Sequence, residues 1–437
     1  MKSIKTFTGV ASLLVATFAM AQTTTNFQAQ NSEAKNGYHT RYVVTDLGTL
    51  PNGNGVFDDP YWIVNNGVAA GWVSLTGGTS HAVLWREGMI TDLGTLGGPN
   101  SYAYGVNERV RASGIAETGI SDPNGEDYCG FGTHLICLGF VWQNGAMTAL
   151  STLGGNNSQG SQINSRGEVV GYAENATPDP TCPIPQKFAF KPVIWEADGA
   201  IRALAMVQGD SEGAAFGINE SGEAVGTSGT CGAFNADFVY LTEAHAVSWK
   251  NGTATDLGNL GGTGAGAFGN AAYSANSRGD VVGHSALPGG LTEHAFLWTK
   301  RTGMQDLGTL PGDAISYALG INDSGVIVGT SWVTATFTGP HATIWDDGVP
   351  TNLNTLVVPG GSAGLYLGQC QSVNNRGEIV GWGIAGDGGT HAFLATPVHG
   401  ADSLPLSAAG NPPLPSDEAR KQLQRMIRFA RGMMPRQ

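Results

Sequence analysis

Histidine and aspartate are the residues of this sequence best suited to chemistry, and most of the histidines recur at fixed places. Five His residues begin similar five-residue segments, and four Asp residues begin Asp-Leu-Gly segments. They are His81, His245, His294, His341, His391, Asp46, Asp92, Asp256 and Asp306. Such side chains could work as acid–base pairs or as metal ligands. A catalytic or metal-binding residue normally occurs once in a chain, however. We therefore predict that the repeated set belongs to the scaffold and that its members satisfy one another or the backbone.

Motifs that occur once give no catalytic assignment either. The sequence has no His-Glu-x-x-His segment, no Cys-x-x-Cys segment and no Walker-type phosphate loop. We therefore name no catalytic residue. We expect a non-enzymatic protein and keep an enzyme open as the alternative.

Five cysteines remain as reactive side chains. Cys129 and Cys137 stand eight positions apart in one long insertion, whereas Cys182 and Cys231 fall in the corresponding insertions of the next two repeat units. In an oxidising compartment we expect these four to form two disulfides, one inside the first insertion and one between the other two. Cys370 would then remain as a buried thiol. Sequence alone does not fix this connectivity.

Three insertions at equivalent places in consecutive repeat units form the best candidate binding surface. They cover residues 118–138, 175–188 and 228–244. Equivalent loops of a repeat fold emerge on the same face, so we predict that the three build one rim. The residues that we expect the rim to display are Tyr128, Phe131, His134, Phe188, Phe234, Phe238 and Tyr240. Loop growth without a function is the alternative.

The first insertion also contains an oxygen-rich turn. Its candidate metal ligands are Asp122, Asn124, Glu126 and Asp127. Carboxylate and amide oxygens are the ligands of hard cations such as Ca²⁺. The spacing is not that of an EF-hand, and a solvated turn without any ion is the alternative. We expect no other cofactor.

The elements that must position these residues are short strands joined in hairpins. Segments such as His-Ala-Phe-Leu-Trp at 294–298 lead to a turn containing Gly and then to a returning strand such as Asp-Leu-Gly-Thr-Leu at 306–310. Asn-Gly and Asp-Gly accept the positive φ of a tight hairpin turn. A second hairpin in each unit reads like residues 321–329, with Asn and Gly at fixed places before a mostly β-branched pair.

Each unit therefore holds four strands, and seven units follow one another across residues 42–397. Four-stranded units repeated about every 50 residues predict an all-β fold, a seven-bladed β-propeller. The first unit begins at the Asp46 strand without a His-Ala-Phe strand, and the last ends at the His391 strand without an Asp-Leu-Gly strand. We predict that these N- and C-terminal strands pair and close the ring. An open β-solenoid is the alternative.

The composition agrees with an all-β chain that is rich in turns. Of 437 residues, 66 are Gly and 13% are charged, whereas typical proteins have roughly 7% Gly and 25% charged residues. This excludes a coiled coil, a helical bundle and an acidic disordered chain. The formal net charge of −13 argues against nucleic acid as a partner.

The two ends of the chain differ from the repeats. Residues 1–21 are typical of a secretory signal peptide, and residues 22–41 form an N-terminal segment. Residues 398–415 read as a Pro/Ala-rich linker, and residues 416–437 as an amphipathic helix with six basic and two acidic residues. That helix could contact an anionic membrane surface or dock on the acidic repeat domain, and a disordered tail is the third option. We therefore expect a secreted or periplasmic protein.

Two motifs carry a resemblance to a known family. His-Ala-Phe-Leu-Trp at 294–298 and Asp-Leu-Gly-Thr-Leu-Gly-Gly at 92–98 resemble the HAF family of extracellular repeats in bacteria. The resemblance spans nearly the whole chain after the predicted signal peptide. It implies an exported protein built from repeats, and the family supplies no catalytic residue.

Two functional hypotheses follow. The first is an exported β-propeller that binds or scaffolds an extracellular ligand through the insertions, whether a polysaccharide, a cell-surface component or a protein. The second is a secreted carbohydrate-active hydrolase or lyase with its site at the propeller mouth. A purely structural role in the envelope is a third possibility. The identity of the ligand and the oligomeric state do not follow from the sequence.

Overall fold

The structure of the chain is a computed structural model. It describes residues 40–182, 186–235, 238–262, 269–290, 292–333, 339–398 and 434–435. The predicted signal peptide (1–21) lies outside the described residues. So do nearly all of the N-terminal segment (22–41), the linker (398–415) and the predicted helix (416–437).

The described residues are almost entirely β-structure, arranged as groups of four strands that we number as sheets 1 to 7. Sheet 1 contains β2 (Gly53–Ile63), β3 (Ala69–Leu75), β4 (Ser80–Arg86) and β5 (Met89–Asp92); sheet 2 contains β6 (Gly97–Val106), β7 (Ala112–Ser121), β8 (Leu135–Gln143) and β9 (Ala146–Ala149); sheet 3 contains β10 (Gly154–Ile163), β11 (Val169–Pro178), β12 (Phe188–Trp195) and β13 (Ile201–Ala203); sheet 4 contains β14 (Glu212–Ile218), β15 (Ala224–Asn235), β16 (Phe238–Lys250) and β17 (Thr253–Asp256). Sheet 5 contains β18 (Asn270–Ala275), β19 (Val281–Ala286), β20 (Glu293–Thr299) and β21 (Gly303–Gly308); sheet 6 contains β22 (Ile315–Ile321), β23 (Ile327–Trp332), β24 (Pro340–Asp346) and β25 (Val349–Asn352); sheet 7 contains β26 (Tyr366–Val373), β27 (Ile379–Ile384), β28 (Thr390–Val398) and β1 (Arg41–Asp46). A single 3₁₀ turn, Leu353–Leu356, follows β25.

The hairpin turns between third and fourth strands have the backbone that the sequence predicts. Asn144 and Gly145 have φ of 52° and 84°, and Asp347 and Gly348 have φ of 50° and 77°. Two consecutive positive φ values give a type I′ turn, whose twist matches that of the flanking strands. The prediction of a chain reversal at these dipeptides is confirmed.

The glycine that ends each Val-Val-Gly segment is required by a close approach of two strands. A Cβ on Gly283 would lie 1.9 Å from the carbonyl oxygen of Ala271, and one on Gly329 would lie 1.9 Å from that of Tyr317. At each place the neighbouring first strand contains a register shift. Any side chain would push the two strands apart, which explains why this position repeats as glycine.

Sheet 7 is assembled from both ends of the repeat region. The first strand of the chain, β1, pairs antiparallel with β28, and their register runs from Arg41 opposite Val398 to Asp46 opposite Phe393. The predicted pairing of the N- and C-terminal strands is therefore present. A parallel bridge between Phe57 and Thr390 also joins sheet 1 to sheet 7.

Neighbouring sheets pack face to face through apolar side chains. Val282 of sheet 5, for example, lies in one buried cluster with Ala318 and Ile327 of sheet 6. The first strands also contact one another in succession, from β2 through β6, β10, β14, β18 and β22 to β26, and β26 contacts β2. Each sheet thus covers the apolar faces of its neighbours, as expected for blades that need no strict polar–apolar alternation.

A ladder of asparagine amides links the turns between first and second strands. The Nδ2 atom of Asn219 donates to the carbonyl oxygen of Asn276 at 2.9 Å, and Asn322 donates to that of Asn374 at 3.0 Å. Asn107, Asn164 and Asn276 make the same bond to the next sheet, and Asn374 makes it to Val64 of sheet 1. Sheet 1 has Val64 at this position, so Glu108 of sheet 2 binds the backbone N–H groups of Asn65 and Asn66 instead.

Two parts of the chain differ from their predicted form. The third insertion (228–244) is an extension of the β15–β16 hairpin rather than a loop, and its strands stay paired as far as Asn235 and Phe238. Met434 and Pro435 pair with Val239 and Phe238 as a two-residue strand, so these two residues of the predicted C-terminal helix are extended. Among the described residues, no helix is long and apolar enough to cross a membrane.

Candidate ligand-binding face

The insertions of sheets 2, 3 and 4 meet at one end of the structure, which we call the insertion face. It comprises the loop at residues 122–134, the loop at residues 179–187, and the extended hairpin at residues 228–244. All three follow the second strand of their sheet. Consecutive turns of an antiparallel sheet lie at alternate ends, so the asparagine turns and the hairpins such as Asn144-Gly145 lie at the opposite end.

Two disulfides fasten the insertion face. Cys129 is bonded to Cys137 within the first insertion, and Cys182 of sheet 3 is bonded to Cys231 of sheet 4. Cys370 is a buried free cysteine. The predicted connectivity is confirmed, because neighbouring sheets bring equivalent insertions side by side.

Buried carboxyl groups hold the first insertion against sheet 3. The Nδ2 atom of Asn157 lies 3.0 Å from Asp122 Oδ2, 3.1 Å from Glu126 Oε2 and 3.2 Å from Glu174 Oε2. The Oδ1 atom of Asn157 accepts the backbone N–H of Cys137, which fixes the orientation of the amide. Glu126 and Glu174 are 1% and 0% exposed. These side chains therefore form an internal network rather than a surface patch.

The same network binds the second insertion. Glu126 Oε1 accepts the backbone N–H of Lys187 at 2.7 Å, and Glu174 Oε1 accepts a bond from the Gln186 amide at 2.9 Å. Burial, together with the nearby Glu174 carboxylate, raises the pKa of Glu126, and burial raises the pKa of Glu174. The two acids can thus share a proton where a solvated pair would repel. The first and second insertions are consequently tied to one another and not only to their own sheets.

The four predicted cation ligands do not surround a common centre. Asp122 Oδ1 accepts the N–H groups of Asn124 and Glu126, whereas Asp127 accepts the N–H of Gly132. The Oδ1 atom of Asn124 accepts a bond from Lys187 Nζ at 3.0 Å. Where Asp122 and Glu126 do converge, they meet the Asn157 amide nitrogen.

The predicted ligand-binding residues occupy different depths. Tyr128 is only 1% exposed and lies inside the face, with its ring 5.8 Å from that of Tyr172. It is not displayed on the rim, because the disulfide loop folds back over it. Phe131 is half-buried, and its ring centre lies 4.8 Å from that of Tyr102 in an edge-to-face arrangement.

The remaining predicted residues lie nearer the surface or outside what is described. The half-buried His134 has its Nδ1 atom 2.8 Å from the carbonyl oxygen of Gly125. Phe188 is half-buried, and Lys187 Nζ lies 5.7 Å from its ring centre, within cation–π range. The backbones of Phe234, Phe238 and Tyr240 belong to β15 and β16, and their side chains lie outside the described part of the chain.

Sequence reasoning missed the carboxyl groups of the second strands. Glu117 and Glu174 stand three residues after the Gly of the second strand in sheets 2 and 3, where sheet 5 has Ala286 and sheet 6 has Trp332. Burial raises the pKa of Glu117, whose carboxyl group accepts bonds from Asn100 and Thr133. Aligning the units and looking for departures from the repeat would have found this pair.

The repeated His and Asp residues pair with each other, as predicted. His81 Nδ1 lies 2.9 Å from Asp92, and His391 Nδ1 lies 2.7 Å from Asp46. His245 and His294 pair in the same way with Asp256 and Asp306. His341 pairs with Asp313 at 2.8 Å, because Asn352 occupies the usual aspartate position of sheet 6.

The opposite end holds a cavity of about 130 Å³ whose wall takes residues from all seven sheets. The carboxylates at its rim bind backbone: Glu220 accepts the N–H of Ser165 at 3.1 Å, and Asp323 accepts that of Ser277 at 2.8 Å. The carboxylates of this opening are therefore engaged in joining the turns of neighbouring sheets.

Comparison with known proteins gives no family assignment. No protein-family model matches the sequence, and no curated protein matches it. Among solved structures, a streptogramin B lyase is similar at a TM-score of 0.44 and 10% identity, covering 82% of this chain and 98% of that one. An acylaminoacyl peptidase of Pyrococcus horikoshii is similar at 0.40 and 8%, covering 77% of this chain and 51% of that one. A mutant of the Aleuria aurantia lectin is similar at 0.27 and 10%, covering 74% and 98%.

These likenesses carry no argument about function. This chain spans about half the length of the peptidase that it matches. The all-β, β-propeller-like character rests on the chain's own four-stranded antiparallel sheets.

Proposed function

We propose that this chain is an exported, closed seven-bladed β-propeller that acts as a non-enzymatic binding module, and that its insertion face binds an extracellular glycan. One observation carries the proposal. The insertions of three consecutive sheets are fastened into one platform by the Cys182–Cys231 disulfide and by the Asn157 carboxyl network. A surface whose parts are fixed before a ligand arrives loses little entropy on binding.

Contacts between sheets 1 and 7 support a closed ring. Gln371 of β26 donates to Asp59 of β2 at 2.9 Å, and Thr390 donates to the carbonyl oxygen of Val56 at 3.0 Å. Trp85 Nε1 of sheet 1 donates to the carbonyl oxygen of Gly48, which follows β1. Trp195, Trp249 and Trp345 make the equivalent bond to the preceding sheet.

The disulfides support export. Two disulfides persist in oxidising compartments and are rare in the cytosol, and a secretory leader at residues 1–21 is the sequence feature that would deliver the chain there. Membership of the HAF repeat family is part of this proposal, and it rests on the motifs at 92–98 and 294–298.

The chemistry of the platform suits a sugar ligand. Phe131 and Phe188 present partly exposed ring area, and Lys187 and Asn124 bring polar groups to the same edge. Aromatic surface next to hydrogen-bonding groups matches the alternating apolar and hydroxyl surfaces of a glycan.

An enzyme remains the second candidate because buried carboxyl groups with a raised pKa resemble general acids. Glu126 and Glu174 have this property. A general acid must reach the group that it protonates, however, and these carboxyl groups are 0–1% exposed and bonded to Asn157. The geometry therefore favours binding over hydrolysis.

A glycan array probed with the full-length, disulfide-intact protein tests the proposal. We expect Phe131→Ala and Phe188→Ala each to weaken binding about tenfold, the loss of one buried aromatic contact. Met89→Ala is the matched control, since Met89 is 64% exposed on a hairpin at the opposite end. Turnover of chromogenic glycosides would replace the binding module with an enzyme. Undiminished binding by both phenylalanine variants would exclude this face.

A further inference from the structure

We propose that Asp179, Ser211 and Glu212 bind one hard divalent cation, Ca²⁺, where the second insertion meets the first strand of sheet 4. Asp179 follows β11, whereas Ser211 and Glu212 precede and begin β14. The ion would join two neighbouring sheets on the insertion face. The proposal does not depend on the proposed glycan ligand, because metal content can be measured without it.

The positions of the ligand atoms allow a single ion. A carboxylate oxygen of Asp179, one of Glu212 and the sulfur of Cys182 all lie within 4.8 Å of one another. That spacing is about twice a Ca²⁺–oxygen distance of roughly 2.4 Å, so one ion can bridge the two carboxylates. The sulfur of Cys182 is bonded to Cys231 and offers no thiolate. The available ligands are therefore oxygens, which selects a hard cation over Zn²⁺.

Two polar atoms at this place lack a hydrogen-bond partner. Glu212 is 0% exposed, and its Oε2 accepts the backbone N–H of Phe190, whereas its Oε1 has no partner. The buried hydroxyl oxygen of Ser211 also has none. A buried carboxylate oxygen without a donor is costly, and a cation would satisfy both atoms together.

The local charge leaves room for one positive ligand. Asp179 and Glu212 supply two carboxylates, and the ammonium group of Lys191 is the nearby opposing charge, bonded to the carbonyl oxygen of Ser211. Burial, with the carboxyl group of Asp179 beside it, raises the pKa of Glu212. Either a proton or a metal ion must therefore lie between the two acids. Ca²⁺ suits ligands from separate segments because it tolerates irregular geometry and completes its shell with water, whereas Mg²⁺ demands a near-octahedral set.

The other acidic group of the insertion face is a built-in contrast. Asp122, Glu126 and Glu174 converge on the Asn157 amide nitrogen, which takes the central place that an ion would need. Between Asp179 and Glu212, no amide or ammonium nitrogen of the described residues bonds to both acids. The two clusters should consequently respond differently to Ca²⁺.

Metal content of the full-length protein tests the site. After dialysis against Ca²⁺ at roughly 1 mM, the upper range of dissociation constants of extracellular modules, we expect mass spectrometry to find one Ca²⁺ per chain and calcium to raise the melting temperature. Asp179→Asn and Glu212→Gln should each remove the bound ion and the shift. Asp122→Asn should keep both, and so should Thr181→Ala, which removes only a hydroxyl bonded to Asp179.

Three outcomes would overturn the proposal. A chain that holds no Ca²⁺ at this concentration has a shared proton between Asp179 and Glu212 instead. Binding that survives in both Asp179→Asn and Glu212→Gln places the ion elsewhere. Binding that is lost in Asp122→Asn returns it to the oxygen-rich turn. Folding of each variant is checked by the two intact disulfides and the near-ultraviolet spectrum, so a loss of metal is distinguishable from unfolding.

Discussion

At the scale of single residues, the turn asparagines do two jobs at once. In Asn276, the Oδ1 atom accepts the N–H groups of Arg278 and Asp280 within its own turn, while Nδ2 reaches the carbonyl oxygen of Asn322 in the next sheet. The side chain is buried. One residue thus fixes both a local backbone shape and the junction between two sheets.

We expect Asn276→Ala to lower the free energy of unfolding by about 1–3 kcal/mol, because it leaves buried N–H groups without an acceptor. Urea unfolding followed by tryptophan fluorescence measures this. Asn66→Ala is the control, since Asn66 lies in the equivalent turn of sheet 1 but is exposed, and its loss should stay below the effect of Asn276→Ala. Equal effects would show that junction contacts contribute nothing.

Residue roles were predictable where they repeat and not where they depart from the repeat. His294 and Asp306 recur along the chain, so a scaffold role followed from counting, and the two side chains bond to each other. Glu174 occurs at a strand position where most units have an apolar or small residue, and its partner Asn157 lies on another strand. Only the three-dimensional packing brings such a pair together with Glu126.

At the scale of elements, β1 is held to β28 by a titratable pair as well as by backbone bonds. The hydrogen bond to Asp46 raises the pKa of His391, and burial opposes it more weakly. Burial also acts to raise the pKa of Asp46, but bonds from His391 and Gly48 outweigh it, and that pKa is lowered. The raised His391 pKa contributes stability that is complete below the ordinary histidine value and is lost as pH rises through the folded value.

Asp46→Asn should therefore cost more stability near pH 5.5 than near pH 9. The difference should stay under about 1 kcal/mol, since both side chains are partly exposed and solvent screens them. Urea unfolding at the two pH values measures it. In His391→Gln the same Asp46→Asn change should have no such pH dependence, and a dependence that persists would mean that another histidine is responsible.

The two disulfides should differ in their effect on stability. Cys182 and Cys231 are 49 residues apart, whereas Cys129 and Cys137 are eight apart. In the chain-entropy model, a longer closed loop removes more freedom from the unfolded chain, giving about 4 kcal/mol for the first and about 2.5 kcal/mol for the second.

Denaturation of the paired serine variants tests this order. The Cys182→Ser/Cys231→Ser protein should unfold at lower urea than Cys129→Ser/Cys137→Ser. The reverse order would show that the first insertion carries more of the fold than its short loop implies.

Strands were more predictable than the insertions between them. The hairpin glycines have positive φ, and their positions marked the turns in the sequence. The third insertion was expected to be a loop and is a paired extension of β15 and β16. Its residues 228–244 contain Val, Tyr, Thr and Phe at strand-like density, but Gly229 and Gly232 obscured the pattern.

At the scale of the whole molecule, stability should fall as the solution becomes less acidic. Burial raises the pKa of Asp58 to about 7 and that of Asp59 to about 7. The folded protein therefore holds protons that the unfolded chain has released, so this contribution is complete below the ordinary aspartate pKa and is lost as pH rises through 7.

We expect the free energy of unfolding to drop by a few kcal/mol between about pH 5 and pH 8, since each pKa unit corresponds to roughly 1.4 kcal/mol. Asp59→Asn should flatten the profile, because an amide keeps a hydrogen bond to Gln371 without titrating. Stability that rises over this range in the native sequence would contradict the burial of these two acids.

Circular permutation tests ring closure. Arg41 lies opposite Val398, so a short Asn-Gly turn can join the end of β28 to the start of β1, with new termini placed before β2. If sheet 7 is completed by β1, this permutant should unfold cooperatively within a few degrees of the parent. Deletion of β1 should instead expose the edge of β28 and promote association. A permutant that fails to fold, beside a stable β1 deletion, would exclude closure.

The meeting of Arg41 and Val398 also has a practical meaning for whatever is attached to the chain. The polypeptide enters and leaves the β-structure at neighbouring points on the outer edge of one sheet. A leader, a linker or a fused reporter at either end therefore starts from a shared doorway, and a single tether there would leave both the insertion face and the opposite opening unobstructed. Fluorophores placed at residues 40 and 398 should report this closeness as strong energy transfer that vanishes on unfolding.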